Sequence, residues 1–258
     1  MVSRRKFVGV IAAASGLGTV GTVNARGSGK VSLAEAGLLD VVKGLAQKGE
    51  TEEMHKIMDE NNVEYYSGYD SLGPSINATQ WSKGDSDMHA TLTRAKGDDV
   101  YFASNETTLS GSSGLKVRDA RRVDDAIGID WDHDNWTPTG RTDSNVYLSA
   151  YGEMADKDYL EVEYDNYSYY GVAAKVKYDF SSPVRTMDTE FTVNLMTELI
   201  KETDDPRHGV KSHYEHTYSA TPGAIDISIG AGGFSVSTPF AAGSWELEKD
   251  SFIDNMRD

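Results

Sequence analysis

Residues 225–237 have the sequence IDISIGAGGFSVS, in which two alternating runs, IDISI and FSVS, flank the glycine-rich segment GAGG. Alternation of apolar and polar residues is typical of a strand with one buried face. Glycine adopts the backbone conformations that tight turns between strands require. The stretch therefore predicts a β-hairpin with Ile225, Ile227 and Ile229 on its apolar face.

The same period of two recurs along most of the chain. Residues 89–93 and 100–103 flank the turn sequence KGDD, and residues 159–164 alternate as YLEVEY. Further short runs of strand type occupy residues 126–129, 145–151, 170–180 and 244–249. Short strands separated by Gly, Asn and Asp turns predict a mainly β fold, an antiparallel β-sandwich or a partly open barrel, over residues 88–258.

Two local patterns within this region are less regular. In residues 189–202, apolar residues follow strand spacing up to Leu195 and helical spacing after it, which favours a strand with a helical end. Asp165 and Asn166 follow an alternating run and predict a turn.

Residues 26–87 predict a helical hairpin and a connecting loop. Residues 32–47 carry an apolar stripe, and Ser32 and Glu35 have the spacing of a helix-capping box. Residues 50–61 predict a second short helix, and the polar, aromatic remainder predicts the loop. We interpret the two helices as a layer packed on the β-domain, with a partner-binding or propeptide-like segment as the alternative.

Residues 1–25 predict an export signal. Arg4 and Arg5 follow a serine, and the bulky apolar residue Phe7 stands two positions after Arg5, which is the twin-arginine pattern. Residues 8–23 are uncharged but shorter than the roughly 20 strongly apolar residues of a spanning helix, and Ala25 ends a small-residue cleavage site. The sequence therefore predicts passage through the twin-arginine translocase, no stable membrane span, and a secreted or cell-surface protein.

Acidic residues are spread over the whole sequence. The chain has 41 Asp and Glu against 25 Lys and Arg, a net charge of −16 with histidine neutral. Self-repulsion on this scale opposes a compact state at ordinary ionic strength. At molar salt the Debye length falls to about 3 Å, and the repulsion is screened. With its twin-arginine signal, the chain resembles uncharacterised secreted proteins of halophilic archaea, a resemblance that covers signal and composition and names no functional family.

Composition also excludes several kinds of function. The negative charge disfavours a nucleic-acid partner, because phosphate groups require Lys and Arg patches. The chain has no cysteine, which excludes a thiol nucleophile and a cysteine-based metal site.

The sequence DWDHDN is the densest polar stretch. Asp130, Asp132 and Asp134 alternate as at the start of a calcium-binding loop. Asn135 stands where an EF-hand requires glycine and Arg141 where it requires glutamate, so an EF-hand is not expected. A looser Ca²⁺ site on these aspartates is the one cofactor hypothesis, and an acidic loop without an ion is the alternative.

Histidines occur close together in the sequence HYEH of residues 213–216. On a strand, His213 and His216 point to opposite sides, so they cannot bind one ion together. Cross-strand packing or exposure to solvent is therefore favoured over a metal site here.

The Asn-x-Ser/Thr triplets provide candidate glycosylation sites. They begin at Asn77, Asn105, Asn135 and Asn166. The triplet is short and matches by chance, so we expect one or two of the four to be used.

No catalytic residue stands out. The glycine-flanked serine of hydrolases and phosphate-binding glycine loops are absent, and with 41 acids no carboxylate pair is singled out. Aromatic residues that could form a sugar-binding or partner-binding face are Trp131, Trp136, Tyr147, Tyr151, Tyr164, Tyr167, Tyr169 and Tyr170. The favoured hypothesis is a non-enzymatic, salt-adapted extracellular protein that binds a glycan, a partner protein or itself. A secreted carboxylate-based hydrolase with a cation-binding loop is the alternative, and a toxin or immunity factor is a third.

Overall fold

The computed structural model describes residues 30–71, 86–110, 124–140, 145–152, 155, 160–178, 190–203, 209–218, 225–238 and 243–251. The predicted signal residues Arg4, Arg5 and Ala25, the acceptor Asn77 and Arg141 lie outside the described residues. Within those ranges, no helix has both the length and the apolar character needed to cross a membrane.

Among the described residues, two short helices precede thirteen strands. The helices are α1 (Leu39–Ala46) and α2 (Thr51–Glu60). The strands are β1 (Tyr65–Ser71), β2 (Asp87–Lys96), β3 (Val100–Leu109), β4 (Asp125–Trp131), β5 (Trp136–Pro138), β6 (Val146–Tyr151), β7 (Leu160–Ser168), β8 (Gly171–Tyr178), β9 (Phe191–Lys201), β10 (Val210–Tyr218), β11 (Asp226–Gly230), β12 (Gly233–Ser237) and β13 (Gly243–Ser251).

The strands form two main antiparallel sheets and one hairpin. The first sheet has the order β1-β2-β3-β9-β5, with β6 also paired to β9. The second sheet has the order β13-β10-β4-β8-β7, and β11 pairs with β12. The predicted mainly β, antiparallel fold with two helices at its N-terminal end is therefore confirmed.

The main core lies between the two sheets. Leu195 and Val193 of β9 face Ile127 and Ile129 of β4 in one buried cluster, together with Tyr214 of β10. Burying a large apolar side chain contributes roughly 1.5–3 kcal/mol, so this double layer is the main source of stability.

Each sheet is also covered on its outer face. Residues of β3 and β9 that alternate with the core, Phe102 and Met196, pack against Met54 and Met58 of α2 in a second cluster. The β11–β12 hairpin packs its isoleucines on Ala126 and the neighbouring strand β8 of the second sheet. The molecule is therefore layered as helices, first sheet, second sheet and hairpin.

The capping-box contacts form, but not where the sequence pattern predicts. Glu35 N donates to Ser32 Oγ at 3.3 Å, and Ser32 N donates to the Glu35 carboxylate at 2.7 Å. Gly37 then adopts a left-handed φ of 71°, so α1 begins at Leu39 rather than at residue 32. The prediction fails because backbone amides of this turn donate to carbonyls at the end of β2 instead of continuing a helix.

Three other local predictions are wrong for the same reason, since pairing with a neighbouring strand overrides local pattern. The expected loop after α2 begins with β1, which pairs with β2. The expected helical end after Leu195 is strand, because β9 pairs with β3 along its whole length. The expected turn at Asp165 and Asn166 is a bulge in β7, and the chain turns at Tyr169 and Tyr170.

Candidate binding cleft and metal cluster

A buried histidine lies among carboxylates on the outer face of the second sheet. Along β10, Tyr214 points into the core, so its neighbour His213 points to the other side of the sheet. The strand register places His213 opposite Glu248 of β13 on one side and Gly128 of β4 on the other. This register brings together residues that are distant in sequence.

Both nitrogens of the His213 ring contact acids. Nδ1 lies 3.0 Å from Glu246 Oε1 and 3.7 Å from Glu248 Oε2, and Nε2 lies 3.3 Å from Asp130 Oδ2. The histidine side chain is 4% exposed, whereas Glu246 and Glu248 are 43% and 45% exposed. Burial opposes the charged imidazole, but the carboxylates of Asp130 and Glu246 outweigh it and raise the pKa of His213 to about 9. We call these four residues the His213 cluster.

The hairpin covers the cluster from one side. The Phe234 ring stacks on the His213 ring with centroids 4.9 Å apart, and Phe234 N donates to Asp130 Oδ2 at 2.8 Å. Gly128 makes room for this ring, because a Cβ atom there would lie 2.5 Å from Phe234. The imidazole is thus held in position, while the two glutamates face solvent.

The three aspartates of the calcium hypothesis are not all in one place. Asp132 and Asp134 lie with His133 in the turn between β4 and β5, with one ligand atom of each within 4.8 Å of the others. The Asp132 carboxylate accepts hydrogen bonds from Asp134 N at 3.0 Å and Asn135 Nδ2 at 2.6 Å, so it also shapes the turn. Asp130 is instead part of the His213 cluster.

A second histidine, His216, lies inside the sandwich. Asp125 accepts hydrogen bonds from Tyr214 Oη at 2.7 Å and from Thr217 N at 3.0 Å, and its Oδ2 lies 2.8 Å from His216 Nδ1. Asp125 and His216 are 0% and 1% exposed. These contacts join β4 to β10 inside the sandwich.

A cleft opens between residues 137–140, at the end of β5 and just after it, and residues 167–169, at the end of β7 and in the turn to β8. Its volume is about 510 Å³. The described residues that line it are Thr137, Pro138, Thr139, Gly140, Tyr167, Ser168 and Tyr169. We call this the tyrosine cleft; among its described lining residues there is no Asp, Glu, Lys, Arg or His.

Hydrogen bonds fix the walls of the tyrosine cleft. Tyr167 Oη donates to the carbonyl of Gly140, which joins the two walls. Trp131 Nε1 donates to the carbonyl of Tyr169 at 2.8 Å, and this tryptophan is anchored in the core. The Tyr169 side chain is 63% exposed, so its ring is presented to solvent from a fixed backbone.

The other aromatic residues singled out in the sequence are mostly structural. Trp131 and Trp136 belong to the main core, and Tyr164 packs against it. Tyr151 Oη donates to the Ala46 carbonyl and so attaches β6 to α1. The expectation that a tyrosine between residues 166 and 170 is exposed is confirmed by Tyr169.

Carboxyl groups also gather on the outer face of the first sheet. The register pairs His89 of β2 with Glu106 of β3, and the His89 ring lies 3.9 Å from Asp87. Burial raises the pKa of both Asp87 and Glu106. Glu106 accepts a hydrogen bond of 2.6 Å from Thr51 Oγ1 of α2. Thr51 also lines a second cleft, of about 670 Å³, at the start of α2.

The structure places the candidate glycosylation sites differently from one another. Asn105 is fully buried in β3, and Asn135 is 5% exposed in the turn after β4. Asn166 lies in β7. The amide nitrogens of Asn105 and Asn135 already donate within the fold, so neither is offered to an external enzyme in the folded chain.

Sequence reasoning missed Glu246 and Glu248. The alternating sequence WELEK indicates that both point to one side of a strand. Only the register of β13 against β10 shows that this side faces His213.

The fold and its surface define a class: an antiparallel β-sandwich that presents a tyrosine cleft at one place and a histidine–carboxylate cluster at another.

No family model matches the chain, and no curated protein matches it. Solved structures similar to it include one described as "Pore forming protein", at 7% identity over 71% of this chain and 90% of that chain, TM-score 0.35. Clostridium perfringens delta-toxin is 7% identical over 74% of this chain and 91% of its own, TM-score 0.42. The membrane-inserted C. perfringens NetB toxin is 7% identical over 72% and 96%, TM-score 0.33. Similarity at this level carries no information about what this chain binds or does.

Proposed function

We propose that this protein is a non-enzymatic extracellular binding protein, adapted to concentrated salt, whose ligand is a glycan bound in the tyrosine cleft. The observation that carries the proposal is the exposed ring of Tyr169 beside the hydroxyls of Thr137, Thr139 and Ser168. The apolar C–H face of a sugar ring packs on an aromatic ring, while its hydroxyls need hydrogen-bond partners at the edge. Tyr169 offers the aromatic contact. Thr139 and Ser168 already donate to the carbonyls of Glu198 and Ile229, so their hydroxyls offer a sugar acceptors rather than donors. The cleft volume of about 510 Å³ is in the usual range for small-ligand sites.

The neutral lining suits binding in concentrated salt. At molar salt, electrostatic attraction at an exposed site is screened within about 3 Å. Aromatic packing does not depend on charge, and excluded salts strengthen apolar contacts. The described lining of the tyrosine cleft holds no charged side chain. Its affinity for a ligand should therefore persist at molar salt, whereas the affinity of an exposed site that binds through ion pairs should fall.

The extracellular part of the proposal is supported by the twin-arginine pattern at Arg4 and Arg5. The salt-adapted part is supported by the net charge of −16, spread over the chain. Both are tested by recovering the protein from culture medium and by measuring its unfolding as salt is diluted.

The binding proposal is tested with an array of neutral and acidic glycans in molar salt, followed by calorimetric titration of the best ligand. We expect Tyr169→Ala to lower affinity at least tenfold. Tyr69→Ala is the matched control, because Tyr69 is also an exposed tyrosine, 52% exposed, but lies on β1. Equal binding by both variants, or no binding to any glycan, would contradict the proposal.

One observation favours the alternative of a carboxylate-based hydrolase. Asp87 and Glu106, whose pKa values are raised by burial, lie on adjacent strands. Thr51, which donates a hydrogen bond to Glu106, lines the cleft at the start of α2. Raised carboxyl pKa values are common at acid–base sites but also occur in structural clusters. Release of reducing sugar from the bound glycan, lost in Glu106→Gln and kept in Glu163→Gln, would favour this alternative over simple binding.

A further inference from the structure

We propose that His213, Glu246 and Glu248 bind a divalent transition-metal ion of the zinc class, and that Asp130 positions the histidine from behind. The site lies on the second sheet, shares no described residue with the tyrosine cleft, and does not depend on the proposed glycan binding.

The ligand atoms are close to the positions that a metal needs. One ligand atom from each of His213, Glu246 and Glu248 lies within 4.8 Å of the others. A tetrahedral zinc ion with bonds of about 2.0–2.1 Å sets its ligands about 3.3 Å apart. The distances of 3.0 Å and 3.7 Å from Nδ1 to the glutamates bracket that value. The glutamates are partly exposed, so small side-chain rotations complete the geometry and leave a position for water.

Asp130 lies where metal-binding histidines usually have a supporting carboxylate. Such histidines donate the second ring N–H to a carboxylate, which fixes the tautomer and turns the other nitrogen toward the metal. Asp130 Oδ2 lies 3.3 Å from His213 Nε2, on the side opposite the glutamates, and a small rotation of either group aligns this contact as a hydrogen bond. Asp130 is itself held by Phe234 N at 2.8 Å, and Phe234 fixes the ring plane by stacking.

The charge of the cluster also suits a dication. Two glutamates and Asp130 surround the imidazole. A nearby lysine, Lys211, lies 2.8 Å from Glu248 Oε1 and 4.0 Å from Asp250. It therefore contacts the Glu248 oxygen that is farther from His213, whereas Oε2 is the oxygen nearer to His213. Binding replaces the Nδ1 proton of His213 by the metal and releases that proton to solvent, so affinity rises with pH.

The ligand set indicates which metal is preferred. An imidazole with carboxylates suits zinc and related ions, whereas Ca²⁺ and Mg²⁺ prefer oxygen ligands throughout. Na⁺, K⁺ and Mg²⁺ in brine therefore compete weakly for a site with a nitrogen ligand. By joining β10 to β13 next to a histidine that contacts β12, the metal would stabilise three elements together.

The test is calorimetric titration of the full chain with Zn²⁺ in molar NaCl, after removal of metal with a chelator, together with the visible absorption of Co²⁺. We expect one equivalent to bind and a tetrahedral Co²⁺ spectrum to appear. The double variant Glu246→Gln/Glu248→Gln removes exposed carboxylates and should abolish binding. Asp130→Asn should weaken binding by about 10–100-fold.

His133→Gln is the matched control, because His133 also stands between two aspartates in an exposed cluster. We expect it to bind Zn²⁺ as the unmodified chain does, whereas His213→Gln binds at least tenfold more weakly. Circular dichroism of each metal-free variant verifies its fold, and the glutamine double variant decides the question if His213→Gln fails to fold. Absence of Zn²⁺ binding, or binding that is lost in His133→Gln and kept in the glutamate variant, would overturn the proposal.

Discussion

The side-chain amide of Asn105 joins the two sheets of the sandwich. From β3 in the first sheet, its Nδ2 donates to the carbonyl of His213 at 2.8 Å and to that of Gly128 at 3.1 Å, both in the second sheet. Thr107 Oγ1 donates to the Asn105 Oδ1 atom at 3.0 Å. Asn105 is fully buried, so its contacts are made where an unmade hydrogen bond is costly.

Loss of the Asn105 link should destabilise the folded chain. Asn105→Asp replaces the donating amide by an acceptor facing two carbonyls, so the free energy of unfolding should fall by about 2–4 kcal/mol. Asn61→Asp is the control, because Asn61 Nδ2 also donates to a carbonyl, at 2.8 Å, but is exposed. Denaturant unfolding in molar salt measures both, and an Asn105→Asp variant as stable as Asn61→Asp would contradict the interpretation.

The candidate glycosylation sites Asn105 and Asn135 should carry no glycan. Peptide mass spectrometry of protein recovered from culture medium should find Asn105 and Asn135 unmodified, because both amide groups are buried and donate within the fold. The proposed twin-arginine route carries folded proteins, and on that route these acceptors would be covered before export. A glycan on Asn105 would show instead that modification precedes folding.

Two lysine–glutamate pairs differ in exposure, so their coupling energies should respond differently to salt. Lys43 of α1 contacts Glu198 of β9, both less than one-fifth exposed, and the Lys43 ammonium lies 5.3 Å from the Tyr147 ring centre. A double-mutant cycle should give a coupling of about 1–3 kcal/mol that persists at molar salt. The exposed pair Lys56 and Glu53, 3.1 Å apart, should lose its coupling of about 0.2–0.5 kcal/mol. Equal salt sensitivity of the two pairs would contradict this.

The stability of the folded chain should depend on pH through His55. Burial, with a contribution from nearby His89, lowers the pKa of His55 from 6.5 to about 4. Between pH 6.5 and pH 4, the unfolded chain takes up a proton at His55 that the folded chain does not. The free energy of unfolding should therefore fall as pH decreases through this window, by at most about 3 kcal/mol from this residue. Above pH 6.5 its contribution is constant.

His55→Gln isolates this contribution, because the buried carboxyl groups nearby titrate in both proteins. The difference in unfolding free energy between the unmodified chain and the variant should change between pH 7 and pH 4, to the advantage of the variant. Parallel stability curves would show that His55 titrates alike in the folded and unfolded chains.

Gly128 provides the space in which Phe234 of the hairpin packs. Gly128→Ala places a Cβ atom 2.5 Å from the Phe234 ring, so the hairpin must shift and the chain should lose about 1–3 kcal/mol of stability. Gly230→Ala, in the hairpin itself, meets nothing within 4 Å and should change stability by about 0.5 kcal/mol or less. Thermal unfolding compares the two, and equal midpoints would contradict the close contact.

Strong local patterns were sufficient to predict much of the fold. The hairpins at KGDD and GAGG formed as expected, because glycine turns and alternating runs act within a few residues. The exposed tyrosine was also predictable, since tyrosines on both faces of one segment cannot all be buried. Weak patterns failed at β1, at the end of β9 and in the bulge of β7, where a neighbouring strand decided the conformation.

The sequence by itself determined the antiparallel β character, the two short helices, the export pattern and the acidic charge, because these depend on residue type and short spacing. The tertiary structure decided which residues meet. The structure places Asp130 beside His213 rather than with Asp132 and Asp134, and it places Glu246 and Glu248 beside His213 as well. These distances depend on strand register, because they join residues that are separated by more than thirty residues of chain. Register depends on the packing of two whole sheets, and no local run of sequence specifies it.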